Sequence, residues 1–175
     1  MILTGPAITK AVEQGDVLID PFDQRQVNPN SYNFRLGDTL LEPTADTLEV
    51  ASSVHWRRVL IPATGLVLKP RTLYLGSTRE RFGSRKYVMT LLGRSSIGRL
   101  GIFLNVTADL GHIGSESRWT LEIRVVQKVR IYPGMKIGQM AFWVAEGNGF
   151  EYRGRYYDDD VPEPLKRSSN GCDGF

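Results

Sequence analysis

Apolar and polar positions alternate in short runs through most of this chain, the period of a strand with one buried face. Tyr32, Phe34 and Leu36 alternate with polar neighbours. Leu66-Val67-Leu68, Leu73-Tyr74-Leu75, Val88 to Leu92, Ile102 to Val106, Trp119 to Val126, Val129 to Ile131 and Ile137 to Val144 are further strand-like runs. Turn signals at Lys69-Pro70, Gly83-Ser84, Gly111 to Gly114 and Pro133-Gly134 separate them. Only the N-terminus has another rhythm. Ala7, Ile8, Ala11 and Val12 recur at helical spacing, with Pro6 in the first turn and Gly15 just past the end. The pattern predicts a mainly β domain, a sandwich or barrel-like jelly roll with a short N-terminal helix. No internal repeat and no linker divides it.

Apolar density falls from Gly147 onward. Tyr152-Arg153-Gly154-Arg155-Tyr156-Tyr157 leads into Asp158-Asp159-Asp160 and then a Pro-, Ser- and Gly-containing tail. A frayed terminus fits this composition. A flap that closes over a ligand fits the interleaved tyrosines and arginines better. The expected organisation is one domain over 1–160, with the flap from about 147 and a tail at 161–175.

Composition narrows the function. With 41% hydrophobic and 23% charged residues, the 175-residue chain is ordinary globular protein. Its 22 basic and 19 acidic residues leave a net charge of +3, too even for a dedicated nucleic-acid surface. No apolar run is long enough for a membrane span, and the N-terminus lacks the apolar core of a signal peptide. With the single cysteine, Cys172, no internal disulfide can form, and a cytoplasmic location is the expectation. Zinc nucleobase deaminases hold their metal with a His or Cys and two further Cys. One cysteine and two histidines, His55 and His112, cannot build that set, so any deamination is expected to proceed without zinc.

Two motifs carry chemistry. Gly93-Arg94-Ser95-Ser96-Ile97-Gly98-Arg99-Leu100-Gly101 combines two guanidinium groups, two hydroxyls and closely approachable backbone, which suits a polyphosphate. Solvated, ion-paired arginines are the bland alternative. In Thr120-Leu121-Glu122, the alternation puts Glu122 on the face of Thr120 and Arg124, opposite Leu121, Ile123 and Val125. Glu122 is there either a solvated carboxylate or a general base. The loop from Thr107 to Gly114 could bring backbone carbonyls near it. A triad of Ser95 or Ser96 with His112 and Asp109 is unsupported, because the serine stretch lacks the second glycine of a nucleophile elbow.

Gly-Arg-Ser-Ser-x-x-Arg-x-Gly, Val-Thr-Ala, Thr-Leu-Glu and Pro-Gly-Met-Lys-Ile-Gly-Gln, in this order, resemble the dCTP deaminase family within the dUTPase superfamily. Asn30 to Gly37, Leu75-Gly76-Ser77-Thr78 and the Tyr152 to Tyr156 stretch are similar too. The resemblance implies a distorted β-barrel of the dUTPase-like type, assembled as a homotrimer with active sites between subunits. It implies zinc-independent deamination of dCTP to dUTP and ammonia, on a nucleotide that carries Mg2+; inhibition by dTTP is left open. By position, Glu122 would be the general base, Ser95 and the Ala108 carbonyl would orient the water, and Arg99 would support the charge of Glu122. Arg94, Ser95, Ser96, His112 and the backbone of Thr120 and Leu121 would contact the nucleotide, and Tyr152, Arg155 and Asp159 would close over it.

Three positions depart from the family pattern. His112 stands where an aspartate is usual, and a largely neutral imidazole cannot supply its fixed negative charge. That argues against pyrophosphatase chemistry unless Asp109 substitutes. Ser117 replaces a glycine in the following turn. In the flap, Arg155 replaces a lysine and Asp159 a glutamine, the latter placing a negative charge where phosphate is expected. A dUTPase or bifunctional enzyme, and a nucleotide-binding member without turnover, remain the alternative readings.

Overall fold

The computed structural model describes residues 1–48, 55–105, 108–147 and 152. Val106, Thr107, Arg155, Asp159 and the tail at 161–175 lie outside the described residues. In chain order the elements are α1 (Gly5–Glu13), β1 (Val17–Asp20), β2 (Tyr32–Arg35), β3 (Thr39–Pro43), β4 (Trp56–Leu60), β5 (Leu66–Leu68), β6 (Tyr74–Ser84), β7 (Tyr87–Gly93), α2 (Ser95–Gly98), β8 (Ile102–Leu104), β9 (Leu110–Gly111), β10 (Glu116–Val125), β11 (Val129–Ile131) and β12 (Lys136–Val144).

The helix forms where the periodicity places it, burying Ile8 and Ala11 and leaving Lys10 and Glu13 outside. The strands form two main sheets. One runs β4-β3-β6-β10-β8, with β1 also paired to β6; the other runs β2-β12-β7-β9. Between them lies an aromatic and aliphatic core in which Phe34 and Phe82 meet edge to face at 6.2 Å. A Cβ at Gly138 of β12 would run into the Phe34 ring, so the two strands approach this closely only through a glycine.

Polar groups are built into this interior too, those of Glu80 and Tyr32 among them. Glu80 is fully buried and accepts from the Arg35 backbone N–H at 2.9 Å and from its Nε at 2.7 Å. Hydrogen bonding to Glu80 raises the Arg35 guanidinium above its ordinary value. The Tyr32 hydroxyl accepts from the Asp23 N–H at 2.9 Å, and burial pushes its pKa up to about 12.

The structure departs from the sequence pattern where pairing overrides local signals. Gly83-Ser84, a turn by composition, is the end of the central strand β6, with Gly83 opposite both Leu18 and Glu116. β4 carries adjacent exposed arginines and pairs only with β3, so it has no clean alternation to read. The hydroxyl-rich turn after Gly93 is the one-turn helix α2, anchored by buried Ile97.

Candidate active site

β10 lies between β6 and β8, with Glu122 opposite Leu75 and Ile123 opposite Leu104. Leu121, Ile123 and Val125 are buried, and the pleat turns Thr120 and Glu122 to the other face. That face opens on a cavity of ≈530 Å³, lined by Ala108, His112, Thr120, Glu122 and Tyr152 among others. The Glu122 carboxylate is half-buried and has no hydrogen bond or ion pair with any described residue. Among the described residues it is the only Asp or Glu lining this cavity. Asp109 is exposed and outside it, its carbonyl taken by the Leu91 N–H at 2.8 Å.

A register shift between Arg118 and Thr120 shapes the wall. At the bulge the Trp119 N–H turns to the Thr78 hydroxyl, at 2.9 Å, and the indole lies against Gly111, where any Cβ would collide with it. β9 pairs Gly111 with Met89 of β7. The His112 carbonyl then accepts from the Ser115 N–H at 3.2 Å and hydroxyl at 2.7 Å, which closes the turn leading into β10. His112 thus projects over the cavity and stacks on Tyr152, ring centroids 5.2 Å apart. The Tyr152 N–H is held by the Ile113 carbonyl at 2.8 Å.

The arginine–serine turn lines a different cavity. Arg94, Ser95 and Ser96 border ≈440 Å³ with Asn28, Ser31, Asn33 and Gln139. Behind the turn, the Ser31 hydroxyl donates to Gln139 Oε1 at 2.6 Å, and Gln139 Nε2 donates to the Gly93 carbonyl at 3.4 Å. Asn33 Oδ1 is buried with no partner among the described residues. Arg99 caps the end of α2, is exposed, and lines neither cavity. A single chain therefore gathers Glu122, Ala108, Thr120, His112 and Tyr152, and separately Arg94, Ser95 and Ser96. Leu121 is a core residue, so only its backbone is available to a ligand.

Sequence reading missed Trp119, the carboxamides behind the serine turn, and Asn105. The last had a faint signal, a polar residue closing the apolar run Ile102 to Leu104.

Among the described residues no group of three His, Cys, Asp or Glu is placed to hold a metal ion. No helix among them is long and apolar enough to cross a membrane.

This mainly β architecture is the one found in the dCTP deaminase of Agrobacterium tumefaciens, with a TM-score of 0.65 over 82% of this chain and 48% of that one, at 22% identity. The family model described as dCTP deaminase-like matches residues 2–145, and the chain belongs to this enzyme family. Two relatives match over almost all of it. The dCTP deaminase of Rhodopirellula baltica is 43% identical over 99% of this chain and 88% of its own length. A protein of Clostridium acetobutylicum named dCTP deaminase, dUMP-forming, is 42% identical over 94% of this chain and 95% of its own length.

Proposed function

We propose that this chain deaminates dCTP, or a close deoxycytidine nucleotide, to dUTP and ammonia with Glu122 as general base. The observation that carries the reading is the half-buried Glu122 carboxylate, unpartnered among the described residues and lining one cavity with Ala108. Such a carboxylate can take a proton from water oriented by the Ala108 carbonyl as the water oxygen bonds to C4. The proton passes to ring N3. The second water proton goes to the departing amino group, the C4–N bond breaks, and ammonia leaves. Acid–base work of this kind contributes about 10²–10⁴-fold.

The triphosphate, with its Mg2+, is held by Arg94, Ser95 and Ser96. These line a cavity apart from Glu122 in one chain, so the complete site is assembled in a homotrimer, where one subunit contributes the serine turn and the next contributes Glu122. Arg99 reaches Glu122 across the same boundary. The backbone of Thr120 and Leu121 reads the base edge, and Tyr152, Arg155 and Asp159 close over the nucleotide.

A second reading, hydrolysis onward to dUMP, is favoured by the name of the Clostridium acetobutylicum relative. Against it, Glu122 is the only carboxylate among the described residues lining the cavity, and His112 stands in its wall. One assay separates the readings: incubation with dCTP while ammonia and pyrophosphate are followed together. Ammonia alone, lost in Glu122→Gln, supports deamination to dUTP. Equal amounts of both products select the dUMP-forming reading. Neither product, from dCTP or related nucleotides, overturns both.

A further inference from the structure

Asn105 is the residue through which the Glu122 strand and the Ala108 loop are joined. It follows β8 and is buried, with a backbone φ of 38°. That left-handed region is strained for most side chains, and asparagine is among the few that enter it. Its carboxamide is used on both sides. Oδ1 accepts from the Glu122 N–H at 3.1 Å, while Nδ2 donates to the Thr120 carbonyl at 3.2 Å and reaches the Ala108 carbonyl at 3.5 Å. The Asn105 backbone N–H donates to the Glu122 carbonyl at 3.1 Å.

This replaces what strand pairing would otherwise supply. The β8–β10 ladder ends at the Leu104–Ile123 pair, one residue short of Glu122. Ala108, three residues on from Asn105, lines the same cavity as Glu122. A planar group with two donors and an acceptor can hold the edge of β10 and also steer a carbonyl on the departing loop. Aspartate has the shape without the donors; leucine has the volume without either.

We infer that Asn105 is a positioning residue, setting the Ala108 carbonyl against the Glu122 carboxylate so that both meet the same water. The inference rests on the deaminase reading and adds a residue to it. Small displacements between a base and its water are costly, because the reacting geometry is held to a fraction of an ångström.

The test compares the full-length wild type with Asn105→Asp and Asn105→Gly. Aspartate keeps the shape and the acceptor, while glycine keeps the left-handed backbone and removes only the carboxamide. Ile8→Ala, buried in α1 away from the site, serves as a destabilised control. With dCTP as substrate, kcat falls about tenfold or more in both Asn105 variants while KM stays within about threefold. Variants that lose thermal stability but keep kcat level with Ile8→Ala overturn the inference and leave the deaminase reading intact. A folded wild type that releases no ammonia from any deoxycytidine nucleotide overturns both.

Discussion

His112 and Tyr152 stack at the rim of the Glu122 cavity, their rings 27° from parallel. The contact fastens the residue that begins the C-terminal segment to the turn that opens β10. An aromatic pair of this kind is worth about 0.5–1.5 kcal/mol beyond its buried area. Tyr152→Ala is therefore expected to raise KM for dCTP by about two- to tenfold, with kcat changed less. Steady-state kinetics check this. An unchanged KM would detach the stack from nucleotide binding.

Glu122→Gln keeps size and strand geometry but removes the proposed base. Ammonia release is expected to fall by about 10²–10⁴-fold, with dCTP affinity by calorimetry nearly unchanged. Residual activity within a few-fold of wild type would assign the proton transfer elsewhere.

A site shared between subunits predicts complementation. Glu122→Gln and Ser95→Ala proteins, each inactive alone, are mixed, unfolded and refolded together. Random reassembly from equal amounts should recover roughly a quarter of wild-type deamination, since about three quarters of the trimers are mixed and each of those holds one intact boundary of three. No recovery in trimers shown by mass spectrometry to be mixed would place both residues in a site within one chain.

Glu80 tests the interior. Removing one member of a buried, hydrogen-bonded ion pair costs about 3–5 kcal/mol, because the other is left buried and unpaired. Glu80→Leu should lower the denaturant midpoint accordingly, and the double variant with Arg35→Met should recover much of the loss. A Glu80→Leu protein as stable as wild type would show that Arg35 escapes to water at little cost.

Tyr32 sets an alkaline limit. Its folded pKa of about 12 exceeds the ordinary value of 10.0, so above pH 10 the unfolded chain releases this proton first and stability falls as pH rises. The contribution is complete below pH 10 and is lost towards pH 12, amounting to about 3 kcal/mol for such a shift. Denaturant titrations at pH 9 and 11 should show the decline, and Tyr32→Phe should flatten it.

How much of this was legible beforehand follows from the range of the forces involved. The alternation of Leu121, Ile123 and Val125 against Thr120 and Glu122 put the carboxylate on the face away from the core, because a pleat encodes its two faces in adjacent residues. Pro6 and Gly15 bracketed α1 for a similarly local reason. The arginine–serine turn was marked by chemistry alone. Gly83 belongs to a strand, and not to a turn, because partners on both sides supply its ladder from distant parts of the chain.

From its residues alone, this chain declared a mainly β fold, a carboxylate on an open face and an anion-attracting turn. Tertiary structure alone decided that Trp119 bulges onto Gly111, that Asn105 bridges Glu122 and Ala108, and that the serine turn opens on a different cavity. Each of these depends on hydrogen bonds or contacts between segments brought together only by folding, and no local period records them.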